Sequence, residues 1–430
     1  MTPELELLVA FVVFLSLIVV GMSVPFAILL PGVLYLYLLS GWAGFKALGV
    51  VSWANLNSFT LTAIPLFILM AEILERGGLI QRTYNALARL MSPVPGGLLQ
   101  TNIFGCAVFA AVSGSSVTTA AAIGTSALPQ LLERGYSKKL AAGSLAAGGT
   151  LGILIPPSLA MIIYSTFTET SVSQLFLAGV IPGAILTTMF MAYIAVKALV
   201  QPHLAPRERG PESFRQGLGF IVALLPLGFL IAVTMGSIYT GLATPTEAAA
   251  IGCVVAIVLS VAFGSLDFRG FLFALRRTTL VTGNIMFLVF SAYVFSHAIS
   301  MGGVGESFTN YVIGLDLNKV EFLIVLFILY SAMGALVESL GMIVITVPLV
   351  FPILAHYGID PIWFGVILVV FMEMGQITPP IGINLFVIQS LWRGTLKDVV
   401  IGTVPFHAMM FALILLLLVF PELALWLPGK

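Results

Sequence analysis

The sequence predicts an all-α polytopic membrane protein built of two inverted repeats, and three observations predict it. The first is composition. Of 430 residues, 60% are hydrophobic and 8% charged, with a mean hydropathy of +1.12, against roughly 25% charged residues in a soluble chain. The second is an internal echo. A shift of 223 positions without gaps superposes seven Gly or Pro pairs within 54 positions: Pro129 on Pro352, Gly135 on Gly358, Gly152 on Gly375, Pro156 on Pro379, Pro157 on Pro380, Gly179 on Gly402 and Pro182 on Pro405. A shift of 220 does the same for Gly21, Pro25, Gly32 and Gly44 with Gly241, Pro245, Gly252 and Gly264. The third is segment length: the apolar runs suit helices of about 20 residues, and no series of alternating ten-residue strands suggests a barrel.

The elements follow in chain order. "MTPELELLVAFVVFLSLIVVG" carries Glu4 and Glu6 where a signal peptide would carry Lys or Arg, so it reads as a retained first span over 5–21. Spans over 24–40 and 58–75 come next. Around "AAVSGSSVTTAAAIGTSALP" two apolar arms too short to cross meet at a Ser/Gly tip, which predicts a re-entrant hairpin over about 98–131. A broken helix over about 138–166 and a span over 174–197 complete the first repeat, 1–200. The polar stretch "QPHLAPRERGPESFRQ" marks a cytoplasmic linker, 201–217. The second repeat, 218–430, has its hairpin at about 321–356 and its broken helix at about 362–388.

Five full crossings per half is an odd number, which inverts the second half relative to the first. Basic residues agree with this when the N-terminus is outside. Arg76, Arg82, Arg89, Arg134, Lys138, Lys139, Lys197, Arg207, Arg209, Arg215, Arg269, Arg276, Arg277, Arg393 and Lys397 then lie inside, and only Lys46, Lys319 and Lys430 outside, as the positive-inside rule requires. Trp42, Trp53, Trp363, Trp392 and Trp426 fall at expected span ends, where an interfacial belt would place them.

"GILIPPSLAMIIY" and "GQITPPIGINLFV" each set a diproline inside an apolar run. Proline removes a helix donor and clashes with the preceding turn. The freed carbonyls survive in a membrane only where protein, water or a ligand satisfies them. Such carbonyls suit Na⁺, and the half-helix N-termini beyond them suit an anion; a plain proline kink is the structural alternative. "SGSS" (113–116) and "ESLG" (338–341) occupy equivalent tips, with Ser116 opposite Ser339. Small polar residues there either bind an ion or substrate or simply permit close helix packing.

Four carboxylates lie in spans or tips: Glu72, Glu247, Glu338 and Glu373. A charge at mid-bilayer costs about 2.5–3.5 kcal/mol on insertion scales. That makes Glu338 and Glu373 candidates for ion coordination or proton coupling. Glu247 follows "ATPT" and reads as a capping box, while Glu72 is placed to reach water at a span end. His297 and His407 read as satisfied packing residues. Cys106 and Cys253 show no metal spacing, and no P-loop or HExxH motif occurs. Zero formal charge offers nothing to nucleic acid. The chain is expected not to be an enzyme and to need no cofactor. An anionic substrate would be held by half-helix ends, hydroxyls and bound cations, or by an Arg at a span end lying deeper than drawn.

Those two diproline stretches, "SGSS", "TGLATPTEAAAIG" and "AIPLFILMAEIL" together closely resemble the large membrane subunit of the tripartite ATP-independent periplasmic (TRAP) transporters, over essentially the whole chain. The resemblance implies an inner-membrane, Na⁺-driven importer of organic acids such as a C4-dicarboxylate or sialic acid. Its implied partners are a small four-helix membrane subunit and an extracytoplasmic substrate-binding protein. It also implies an elevator in which about 98–170 and 321–390 move. Carried over, Na⁺ would sit near Ser113, Gly114, Ser115 and Ser116 with Gly152 and Pro156, and near Glu338, Ser339 and Gly341 with Gly375, Thr378 and Pro379. Substrate would lie near Ser116, Pro157, Ser158, Ser339, Pro380 and Asn384. The rival readings are a stand-alone divalent-anion or citrate symporter, whose usual Ser-Asn-Thr tips are missing here, and an intramembrane enzyme or channel.

Overall fold

The computed structural model describes residues 3–206, 214–392 and 394–429, which are helical with no strand. Most of the charged part of the 201–217 linker, with Arg207 and Arg209, lies outside the described residues, as do Arg393 and Lys430.

The first half runs α1 (Pro3–Val19), α2 (Val24–Ser40), α3 (Trp42–Leu56), α4 (Ala63–Arg76), α5 (Leu79–Met91), α6 (Leu98–Ser113), α7 (Ser116–Glu133), α8 (Lys138–Leu154), α9 (Leu159–Thr168) and α10 (Val172–Val200). The second runs α11 (Phe214–Tyr239), α12 (Pro245–Ala262), α13 (Phe268–Met301), α14 (Val304–Gly314), α15 (Lys319–Gly334), α16 (Ser339–Leu354), α17 (Pro361–Gln376), α18 (Ile383–Trp392), α19 (Leu396–Val419) and a short α20 (Glu422–Leu425). Both expected hairpins, α6–α7 and α15–α16, and both broken helices, α8–α9 and α17–α18, are present. Both diproline bonds are cis. Among the described residues six segments are long and apolar enough to cross a membrane, and none of the four hairpin arms is one of them.

In the first half three helices depart from the expected plan. The third span begins at Ala63 rather than 58, after a turn in which Thr62, Ala63 and Ile64 donate to Phe59, Thr60 and Leu61. α3 and α5 are additional. α5 is amphipathic, with Leu79, Ile80, Thr83, Tyr84 and Leu87 buried and Gln81 and Asn85 facing the polar side of α7, so its composition hides it from a hydropathy reading.

Packing divides the helices into two groups. In one, α13 lies along α2 and α4, and α12 along α4. Thr246 Oγ1, Cys253 Sγ and Ser260 Oγ donate to the carbonyls of Phe59, Leu66 and Ile73 at 2.9, 3.0 and 3.4 Å. Each step is seven residues on both sides, so the α4 end of this seam is held parallel and in fixed register. In the other group α8 is sheathed by α6, α7, α18 and α19. There Gly143 and Gly402 bring two backbones together so closely that a Cβ on Gly143 would stand 2.2 Å from the Gly402 carbonyl oxygen. Between the groups the contacts are fewer, chiefly α5 on α6 and α13 and α14 on α16. Trp363, expected in an interfacial belt, is 3% exposed and donates its indole N–H to Leu417 O at 3.0 Å; it is a core residue because α17 is enclosed by its neighbours. Trp42, Trp53 and Trp426 are exposed.

Candidate functional site

Each hairpin tip is fastened to the break of its own half. At the first tip Gly114 adopts a left-handed turn, φ 62°, and Ser115 caps α7 by accepting from Thr118 N. Ser113 Oγ and Thr119 Oγ1 are 2.7 Å apart. Leu159 N donates to Gly114 O at 3.2 Å, and Gly152 lies so near Ser115 that a Cβ would be 2.5 Å from its carbonyl oxygen. At the second tip Ile381 N and Gly382 N donate to Ala335 O at 3.1 and 3.4 Å, while Gly334 abuts Gly375. Small residues at these points are what allow loop and break to touch.

A polar node joins the halves. Ser116 Oγ hydrogen-bonds Gln376 Oε1 and lies 3.0 Å from Asn384 Oδ1, and Asn384 Nδ2 donates to Ala146 O at 3.3 Å. All four residues are buried. Gln376 was not singled out from the sequence; its place four residues before Pro380, on the last turn of a broken helix, is the signal that could have found it.

The remaining candidates sort by position. Ser158 donates to Ile153 O at 2.6 Å and caps α9, so its hydroxyl is engaged within the break. Pro156 and Pro157 are buried, whereas Pro379 and Pro380 are exposed. Thr378 Oγ1 donates to Met374 O at 2.6 Å and lies 3.1 Å from His407 Nε2. Gly341 faces Val337 and, across to α2, Val24. Glu247 forms the expected capping box with Thr244. Glu373 is fully buried, and neither carboxylate oxygen has a hydrogen-bond partner among the described residues. His407 is partnered, but Nε2 of His297 is buried without a partner among the described residues, so the satisfied-packing expectation holds for only one of the two.

Between the tips lies a cavity of about 250 Å³, walled by Ser113–Ser115 and Glu338–Leu340 on one side and by α4 and α13 on the other. Glu72 is buried there, and its Oε1 lies 3.5 Å from Arg277 Nε. This corrects the expectation that Glu72 simply reaches water, and it makes Arg277, counted among the basic residues of the inner side, the deeper-lying Arg at a span end that the sequence left open. α13 is 34 residues long, and its first turns carry Arg277 back against α4. A carboxylate in an apolar run demands a cation, and that demand was the available clue.

A polar chamber bordered by backbone that hydrocarbon would not tolerate belongs to a protein that carries solutes, so fold and site together define a multi-pass membrane permease. Residues 11–423 match the family described as "Tripartite ATP-independent periplasmic transporter, DctM component". The chain is 34% identical to the C4-dicarboxylate TRAP transporter large permease protein DctM of Pseudomonas aeruginosa, over 89% of this chain and 90% of that one. It is 29% identical to the sialic acid TRAP transporter large permease protein SiaM of Vibrio cholerae, over 96% of each. Its fold is similar to that of the YdaH transporter of Alcanivorax borkumensis, with TM-score 0.65, 16% identity and 90% of both chains covered. The chain belongs to the DctM component family of TRAP transporters, which sets aside the stand-alone symporter and the enzyme or channel.

Proposed function

We propose that this chain is the transporting subunit of a Na⁺-coupled importer of an organic acid, fed by an extracytoplasmic binding protein and working beside a small four-helix membrane subunit. The observation that carries the reading is the cavity enclosed by both hairpin tips, since a solute there would touch both halves at once. Related proteins named for C4-dicarboxylate and sialic acid support an anionic substrate class. The Ser116 node supports Na⁺: three oxygens share a single hydroxyl hydrogen, an arrangement that a monovalent cation would relieve.

An elevator suits the division into two helix groups with fewer contacts between them. α10 and α19 pack on the hairpin and broken-helix core, so the moving part would include them and exceed 98–170 and 321–390. The polar contacts of Gln81 with Ser126 and Asn85 with Gln130 suit a seam that slides.

The test is uptake of radiolabelled succinate and N-acetylneuraminate into liposomes holding this chain, its small subunit and its binding protein. Uptake of one of them should require an inward Na⁺ gradient and all three proteins. It should vanish in the Pro379→Ala/Pro380→Ala double variant while the protein stays folded. Equal uptake with K⁺ replacing Na⁺, or without the binding protein, defeats the reading.

A further inference from the structure

We propose that Arg277 receives the carboxylate of the transported acid on the wall opposite the hairpin tips, with Glu72 orienting it, an inference that rests on the organic-acid reading above. Among the described residues walling the cavity, Arg277 is the only Lys or Arg. The nearby Arg76 is committed elsewhere, its guanidinium 3.7 Å from the Phe273 ring centroid. Glu72 engages Arg277 through Nε. Among the described residues the two terminal nitrogens make no hydrogen bond, and the side chain is 60% exposed.

A guanidinium offers a carboxylate a two-pronged edge, and the Nη1/Nη2 edge is the one left open here. Glu72 is suited to aim that edge because, buried as it is, it loses its counter-charge if Arg277 swings away. The cavity is also walled by Glu75 and Glu338, so a carboxylate placed elsewhere in it would meet like charge. The acid group therefore points at α13 and the rest of the molecule at the hydroxyls of Ser113 and Ser115. Because α13 lies outside the group that carries the hairpins, the contact exists only while the tips stand opposite Arg277. It acts on one side of the transport cycle.

Arg277 is tested on the purified full-length chain in NaCl by thermal shift, with acetate, succinate and N-acetylneuraminate as probes and glycerol as the uncharged control. At least one carboxylate should stabilise the parent chain, and Arg277→Gln should weaken its apparent affinity about tenfold or more. Arg277→Lys, which keeps the charge but not the fork, should fall between. The exchange Glu72→Arg with Arg277→Glu should restore the ligand-free melting temperature but not carboxylate binding. Binding by Arg277→Gln within about twofold of the parent, or an exchange that restores binding together with stability, overturns the proposal. If Na⁺ stabilises the parent chain and no carboxylate does, the organic-acid reading itself falls, and the role of Arg277 with it.

Discussion

Ser116 holds one hydroxyl hydrogen between two amide oxygens from the other half of the chain. Ser116→Ala leaves Gln376 and Asn384 without that donor in a buried place, which should cost about 1–3 kcal/mol. The same variant should lose any stabilisation by NaCl over KCl. Thermal unfolding in the two salts reads both effects, and an unchanged Na⁺ response would detach the node from ion binding. At this scale the sequence was informative about residue type and weak about partnership. The tip serines and Asn384 could be picked out because polar groups in hydrocarbon need a reason, yet nothing local joins Ser116 to Gln376 across 260 positions. Glu72 announced an unmet charge, but Arg277 looked like one more cytoplasmic cation until α13 was seen to run back along α4.

Helices were legible where their determinants are local. Hairpin arms reveal themselves by being too short to cross, and breaks by proline, and both kinds fall within a few residues of expectation. α5 was not legible, because only one of its faces is apolar and burial by its neighbours completes it. The echo at 223 positions has a packing cause: Gly179 lies against Leu154 O and Gly402 against Lys139 O, contacts that admit no side chain. Gly143→Val should therefore wedge α8 from α19 and destabilise the protein by about 1–3 kcal/mol or more. Gly283→Ala, on a helix surface with nothing within 4 Å of the added carbon, should leave the melting temperature unchanged or slightly raised. Equal losses in the two variants would mean that the α8–α19 approach is not what matters.

For the whole molecule, the decisive property is orientation. From odd crossings and the placement of basic residues, we propose that the first hairpin's base faces the cytoplasm and the second's the outside. Single cysteines placed over 134–138 and over 356–360 should then label from opposite faces of oriented vesicles with a membrane-impermeant maleimide. Labelling from one face alone would mean the halves are not inverted, whatever their likeness in element order.

The Ser116 node has a further consequence, which concerns inheritance. Since one half supplies the serine and the other the two amides, half a chain owns half a node. A gene of half this length could have made a complete site only by pairing two copies of its product, at the mercy of their concentration. On the proposal that the halves are copies of one ancestor, tethering them in one polypeptide would replace that encounter with a fixed local concentration in the millimolar range or so, and would leave each copy free to diverge into a tip that donates and a break that accepts.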